Sequence, residues 1–216
     1  MALIQGWKTK AAKDVFESCS PKGFPTDLLK PVRRRLSQLN AARALEDMKA
    51  PPGNRLHLLT ADRAGQWSIS VKEQFRICFV WTDSEPDAVE FVDYHSGMDG
   101  PSPLLFAKEK TVAAYDFADF VSPTPHPGEH LREEFLPGYH LTAGSLAKAM
   151  GLKDRTRVER LVREQQPVTA DTALRLGRVF GTTAQFWINL QTDHDLSKAA
   201  IAARDELAAI KPLVAA

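Results

Sequence analysis

Hydrophobic and polar positions divide the chain into a front part with mixed periods and a rear part with one period. Met1 to Trp7 reads as a strand. From Thr9 to Cys19, Val15, Phe16 and Cys19 fall on one helical face, and Ser20-Pro21-Lys22-Gly23 ends that run. Leu28, Val32, Leu36 and Leu39 mark a second helix, which Pro31 either starts late or kinks. Arg33, Arg34 and Arg35 spill around its remaining surface and read as a solvated face in preference to an RNA contact. Pro51-Pro52-Gly53-Asn54 then punctuates the chain, and the period changes to two. Trp67, Ile69 and Val71 alternate with polar residues, as do Phe75, Ile77, Phe79 and Trp81 with Arg76, Cys78 and Val80. Lys72-Glu73-Gln74 joins these two strands as a hairpin, and a further strand is expected from Val89 to Tyr94 after the turn-like stretch Asp83 to Asp87. The pattern predicts an α+β unit over residues 1–95, an antiparallel sheet with two N-terminal helices on one face.

Residues 96–122 read as a linker. Gly97, Gly100, Pro101 and Pro103 break regular structure, yet Leu104, Leu105, Phe106, Tyr115, Phe117 and Phe120 are too apolar for a solvated tether, so part of it should dock. Residues 123–216 are helical throughout. Pro127 and Glu129 open a helix that Pro137-Gly138 closes. Leu141 to Met150, Asp154 to Arg163 and Thr169 to Phe180 follow, with Gly151 and Gly181 as stops. Thr182 with Gln185 fits a capping box, and a last amphipathic helix is expected from Ser197 to Ile210.

The formal charge of +1 conceals a strong asymmetry. Residues 1–80 hold 14 Lys and Arg against 7 Asp and Glu, so a cationic front is tethered to an anionic rear. The halves can attract each other, and the front suits a polyanionic partner. The two cysteines, Cys19 and Cys78, lie in apolar runs and indicate buried thiols, not a disulfide framework. No apolar run reaches the length of a membrane span or a signal-peptide core, and a cytoplasmic protein is expected.

In the rear part, the helix through Ser145 to Met150, a turn at Gly151 and the helix from Asp154 have the proportions of a helix-turn-helix. Lys153, Asp154, Arg155, Thr156, Arg157 and Arg160 would then face the major groove, arginine forks being suited to guanine edges and phosphates. A plain helical bundle with one basic helix satisfies the same spacing. His126-Pro127-Gly128-Glu129, Leu131-Arg132-Glu133-Glu134-Phe135, Leu146-Ala147-Lys148-Ala149-Met150-Gly151, Ala173-Leu174-Arg175-Leu176 and Phe186-Trp187-Ile188-Asn189-Leu190-Gln191 together resemble the HigA antitoxins over nearly all of residues 124–197. That resemblance implies a dimeric, operator-binding repressor that also neutralises a toxin. Lys153 to Arg157 departs from it by one extra residue. The letters His126-Pro127-Gly128-Glu129-His130 match a zinc-binding pattern, but Pro127 at a helix start places His126 outside the helix, so no metal is expected.

Pro52-Gly53-Asn54-Arg55-Leu56, Asp62-Arg63-Ala64-Gly65-Gln66-Trp67-Ser68-Ile69, Phe75-Arg76-Ile77-Cys78-Phe79 and Val92-Asp93-Tyr94-His95 resemble the HigB branch of the RelE-like toxins over residues 1–95. The resemblance implies a ribosome-dependent, metal-independent endoribonuclease acting on messenger RNA without a cofactor. Attack by the RNA 2′-hydroxyl requires a base, cations for the phosphorane and an acid for the leaving oxygen. Arg76 and Lys72 are the candidate phosphate stabilisers, His95 and His57 the proton-transfer groups, Asp93 an orienting group and Tyr94 a stacking or proton-sharing group. Plainer roles stay open: His57 as a backbone partner, Tyr94 as a sheet cap, Lys72 as a turn residue. Thr60 stands where the family often has lysine. The resemblances imply a toxin followed by its antitoxin in one chain; the alternative is a DNA-binding repressor carrying an inactive ribonuclease fold.

Overall fold

The computed structural model describes residues 4–18, 20–83, 85–93 and 116–211. The front part opens with α1 (Lys10–Phe16), α2 (Thr26–Ala41) and α3 (Leu45–Lys49). A four-stranded antiparallel sheet follows, β1 (His57–Leu58), β2 (Gln66–Ser70), β3 (Phe75–Thr82) and β4 (Glu85–Asp93), in the order β1-β2-β3-β4. Because side chains alternate across a strand, Ile69, Ile77, Phe79, Val89 and Phe91 meet Val15, Phe16, Leu28, Val32 and Leu36 of the helices in one core. The opposite face carries Ser68, Arg76, Cys78, Glu90 and Val92, all but Arg76 buried, and Cys78 and Val92 pack there with Leu59.

The rear part is helical among its described residues. Pro127–His130 (α4), a wide π turn over Leu131–Phe135 and Leu136–Gly138 (α5) form one continuous rod. Then come α6 (Ala143–Ala149), α7 (Thr156–Val162), α8 (Ala170–Phe180), α9 (Ala184–Ala202) and α10 (Arg204–Ala209). Leu131, Phe135, Leu146, Val158, Leu161, Leu176, Phe186, Trp187 and Leu190 make a second core. The cores interlock, since Phe120 belongs to the first and Ala41 and Ala50 to the second.

Several elements differ from the sequence reading. Met1 to Leu3 lie outside the described residues, and the segment from Ile4 to Trp7 is no strand of the sheet; it runs beside β4 with a single parallel bridge, Trp7 to Val89. Gln5 N–H donates to Pro86 O, Val89 N–H to Gly6 O and Lys8 N–H to Val89 O. The first helix stops at Phe16, and Cys19 and Tyr94 lie outside the described residues. β4 begins at Glu85, with Pro86 admitted because this strand is at the sheet's edge. The short elements α3 and β1 have too few periodic positions to be seen in sequence.

Helix starts in the rear part shift for identifiable reasons. Asp154 Oδ1 accepts from Thr156 N–H at 2.9 Å, so this carboxylate ends the loop and α7 starts two residues late. Thr183, one residue beyond the expected cap, takes Phe186 N–H, because Thr182 Oγ1 is engaged by Trp187 Nε1 at 2.8 Å. Ser197 opens no helix: α9 passes through it, and its buried Oγ accepts from Thr124 N–H at 2.9 Å.

Candidate functional sites: second sheet face, helix pair and seam

On the sheet face away from the helices, Arg76 Nη1 donates to Ser68 Oγ at 3.3 Å, and His57 sits opposite Ser68 on β1. Glu90 is neutralised by Lys8 at 2.8 Å and by Arg63, which also donates to Cys78 Sγ at 3.2 Å. Burial pushes the Cys78 thiol up to about 11 despite Arg63, so it is no thiolate near neutral pH. Asp93 pairs with Phe75 and shares the parity of Phe91, so it lies on the helix-facing side of β4, opposite in parity to Arg76. His57 and Asp93 occupy opposite edges of the sheet, three strand spacings apart and three residues out of register, roughly 17 Å. Lys72 forms an exposed pair with Asp27 of α2, and Thr60 is exposed. His95 and Tyr94 lie outside the described residues. The polar residues Arg63, Ser68 and Glu90 escaped the sequence reading; for Ser68 and Glu90 the signal is the non-apolar phase of the strands, while Arg63 lies in the turn before β2 and carries none.

In the helix pair α6–α7, Lys153, Arg155, Thr156 and Arg160 are exposed. Arg157 is not free to read bases: it donates to Asp171 Oδ2 at 2.7 Å, Thr169 Oγ1 at 3.2 Å and Thr172 Oγ1. Arg175 also holds Asp171 and donates to Met150 O, so this carboxylate fastens α7, α8 and the end of α6 together.

At the seam, the expected solvated face of Arg33, Arg34 and Arg35 is instead an interface. Arg34 Nε donates to Glu134 at 2.9 Å and its Nη1 to Glu129 at 3.1 Å; Arg35 Nη1 lies 2.5 Å from Glu134 and its Nε donates to Ser70 O. In a regular α-helix two residues five apart point about 140° away from each other. The π turn removes that offset and lets Glu129 and Glu134 share one guanidinium. Further along α2, Gln38 Nε2 meets His130 Nδ1 at 3.3 Å, Asn40 Nδ2 donates to Asp193 at 2.8 Å and Asn189 Nδ2 donates to Ala41 O at 2.9 Å. Fully buried Asp47 accepts from both Thr183 N–H and Thr183 Oγ1–H, joining α3 to the start of α9.

Burial, then the Arg34 and Arg35 cations, pushes His130 down from 6.5 to about 3, and burial pushes His126 down to about 4. Their neutral forms therefore contribute stability that is complete above pH 6.5 and is lost as pH falls toward these values. Asp193, raised by burial to about 6, acts oppositely, losing stability as pH rises from 3.8 through 6. Two histidines outweigh one carboxyl. Urea stability should fall by roughly 1 kcal/mol per pH unit between pH 6 and 4.5, and His130→Gln should flatten that slope. A wild-type profile already flat there would contradict the assignment.

Comparisons with known proteins agree with both halves of this architecture. Residues 6–95 match the RelE-like toxin of the type II toxin-antitoxin system HigB. Antitoxin HigA-1 of Vibrio cholerae is 36% identical over 86 residues, 40% of this chain and 80% of that protein. The chain belongs to the HigB–HigA toxin–antitoxin family. The HigB-like part is also similar to endoribonuclease HigB of Proteus vulgaris, 29% identical over 93 residues, 43% of this chain and all of that protein. Among solved structures, Pseudomonas aeruginosa antitoxin HigA with its higBA promoter is 43% identical, covers 42% of this chain and 98% of its own, and has a TM-score of 0.40. The HigB-like part is an antiparallel sheet with helices and the HigA-like part is helical, while no described helix is long and apolar enough to cross a membrane.

Proposed function

We propose that residues 1–95 form a messenger-RNA endoribonuclease held inactive by a DNA-binding antitoxin, residues 123–216, to which residues 96–122 tether it. The observation that carries this reading is the clasp of Arg34 and Arg35 by Glu129 and Glu134. It joins the cationic front to the anionic rear through buried charges and holds the toxin on one side. The similarity to a protein described as endoribonuclease HigB supports the catalytic half. His57 and His95 would exchange protons with the 2′-hydroxyl and leaving oxygen, Arg76 would stabilise the phosphorane, and Lys72 would assist after leaving Asp27. Asp93 would orient a histidine and Tyr94 stack on a base. The reaction proceeds on the ribosome with no metal. In the antitoxin, Lys153, Arg155, Thr156 and Arg160 would contact operator DNA as a dimer, with Asp154 accepting from the first N–H of α7 and Arg157 fixing the helix's position.

Thr60 at an exposed position of the toxin part favours a second reading, a repressor whose ribonuclease fold is inactive. Bacterial growth separates the two. Induction of residues 1–95 should arrest growth, with cleavage of ribosome-bound messenger RNA mapped by primer extension. The full chain should not, nor should residues 1–95 with Arg76→Ala and His95→Ala. Soluble residues 1–95 that neither arrest growth nor cleave would leave the repressor reading. For DNA, Arg155→Ala with Arg160→Ala should weaken binding to the chain's own promoter at least tenfold in a mobility-shift assay.

A further inference from the structure

Arg33 differs from its two neighbours on α2. Its guanidinium is largely buried, yet every partner it has among the described residues is a neutral oxygen: Ser122 O and Pro123 O at 2.7 Å each, Ser122 Oγ at 3.0 Å and Phe16 O at 3.4 Å. Arg34 and Arg35, by contrast, each touch a carboxylate. Burial pushes Arg33 down to about 10, and the nearby Glu129 charge offsets this only in part. A desolvated cation without a contacting anion is costly to keep. Beside it lies a cavity of about 140 Å³, open to solvent, between the end of α1, α2 and the chain at Ser122. Lys30, Arg33, Ser18, Ser20 and Ser122 supply its polar lining, and Val15 and Leu29 its apolar wall. Lys30 is exposed and makes no ion pair among the described residues.

We propose that this cavity binds a phosphate group, either free phosphate or the terminal phosphomonoester of a nucleotide or RNA, between Lys30 and Arg33. The charge matches, because two cations converge and, among the described residues, no carboxylate lines the wall. The size suffices too: on the measure by which one water needs about 10–15 Å³, the cavity has ample room for a tetrahedral oxyanion. Three of the four polar lining residues other than Arg33 offer donors, the Lys30 ammonium and the hydroxyls of Ser20 and Ser122, and Arg33 retains one uncommitted N–H on Nη1. Ser122 lies on the stretch entering the HigA-like part while Lys30 and Arg33 belong to the HigB-like part. A bound phosphate is therefore shared between toxin and antitoxin and reinforces their closed arrangement.

The test uses the full chain, titrated with inorganic phosphate, adenosine monophosphate and a tetranucleotide RNA with either a 5′-phosphate or a 5′-hydroxyl, at constant ionic strength made up with chloride. Saturable heat on calorimetry and a melting temperature raised by roughly 5 °C at hundredfold saturation are expected. Lys30→Ala should reduce affinity at least tenfold while leaving the ligand-free melting temperature unchanged, Arg33→Lys should reduce it similarly, and Lys22→Ala should not. Binding by all the phosphates identifies a free-anion site. Binding confined to the 5′-phosphorylated RNA identifies an RNA-end site. No saturable binding by any of them, or binding indifferent to Lys30→Ala and Arg33→Lys, overturns the proposal.

Discussion

Glu134→Ala is expected to lower the free energy of unfolding by about 3–5 kcal/mol, the cost of leaving buried charges without their partner. Glu134 is the hinge of the seam because both Arg34 and Arg35 lean on it, and all three side chains are nearly inaccessible. Glu129 is more open and touches Arg34 alone, so Glu129→Ala should cost about 1 kcal/mol or less. Glu134→Gln keeps an acceptor and should fall between the two. Urea unfolding followed by fluorescence in two variants, one keeping only Trp7 of the first core and one only Trp187 of the second, with the other three of the four tryptophans replaced by Phe, reports whether the parts separate before they unfold. Under the proposed function, Glu134→Ala should also make the induced full chain slow growth. A loss below 1 kcal/mol, with both tryptophans following one unchanged transition, would mean that the apolar contacts alone hold the seam.

Gly128→Ala should destabilise the HigA-like part on the order of 3 kcal/mol or more, since a Cβ there would sit 1.9 Å from the carbonyl oxygen of Leu161. Backbone meets backbone at that point, so no side chain can swing aside. Relief requires α4 and α7 to move apart, which would displace Arg155 and Arg160 and weaken promoter binding as well. Gly144→Ala is the control of opposite sign. At that position the nearest atoms are Thr142 Oγ1 at 3.8 Å and Arg155 Cδ at 3.9 Å, and alanine in the first turn of α6 should stabilise by up to about 1 kcal/mol. Thermal melts of the two variants settle the matter: equal and small shifts would show that the α4–α7 contact is looser than its geometry.

The close approach at Gly128 also explains why the sequence was readable where it was. His126-Pro127-Gly128-Glu129 combines a cap whose Nδ1 takes Gly128 N–H, a proline suited to a first turn, a glycine no larger residue can replace and a carboxylate reaching Arg34. Each letter answers a local demand, so the run is distinctive. β2 and β3 were legible for a similar reason: the large core takes the aromatic and branched residues of one face, while Ser68, Arg76 and the small Cys78 fall on the other. The seam was not legible. Arg33, Arg34 and Arg35 look alike in sequence, and a solvated helix face and a buried ionic one have the same spacing. What distinguishes them is the π turn and the arrival of residues some hundred positions away, which no local window contains. Ser197 was misread for the converse reason: an alanine-rich run after a serine looks like a new helix until Thr124 is found bonded to that hydroxyl.

The segment lying along β4 bears on how the molecule behaves at high concentration. A bare outer strand invites a neighbour's backbone, and sheets that grow this way end as fibrils. Here Gln5, Gly6 and Lys8 already engage the outward amide and carbonyl groups of Pro86 and Val89, and Pro86 itself has no N–H to offer. The opposite margin is a strand of two residues, too short to template an addition. Both margins are thus blunted against recruiting further copies, and trimming the first eight residues would remove the cover of β4 along with the Trp7 contribution to the core.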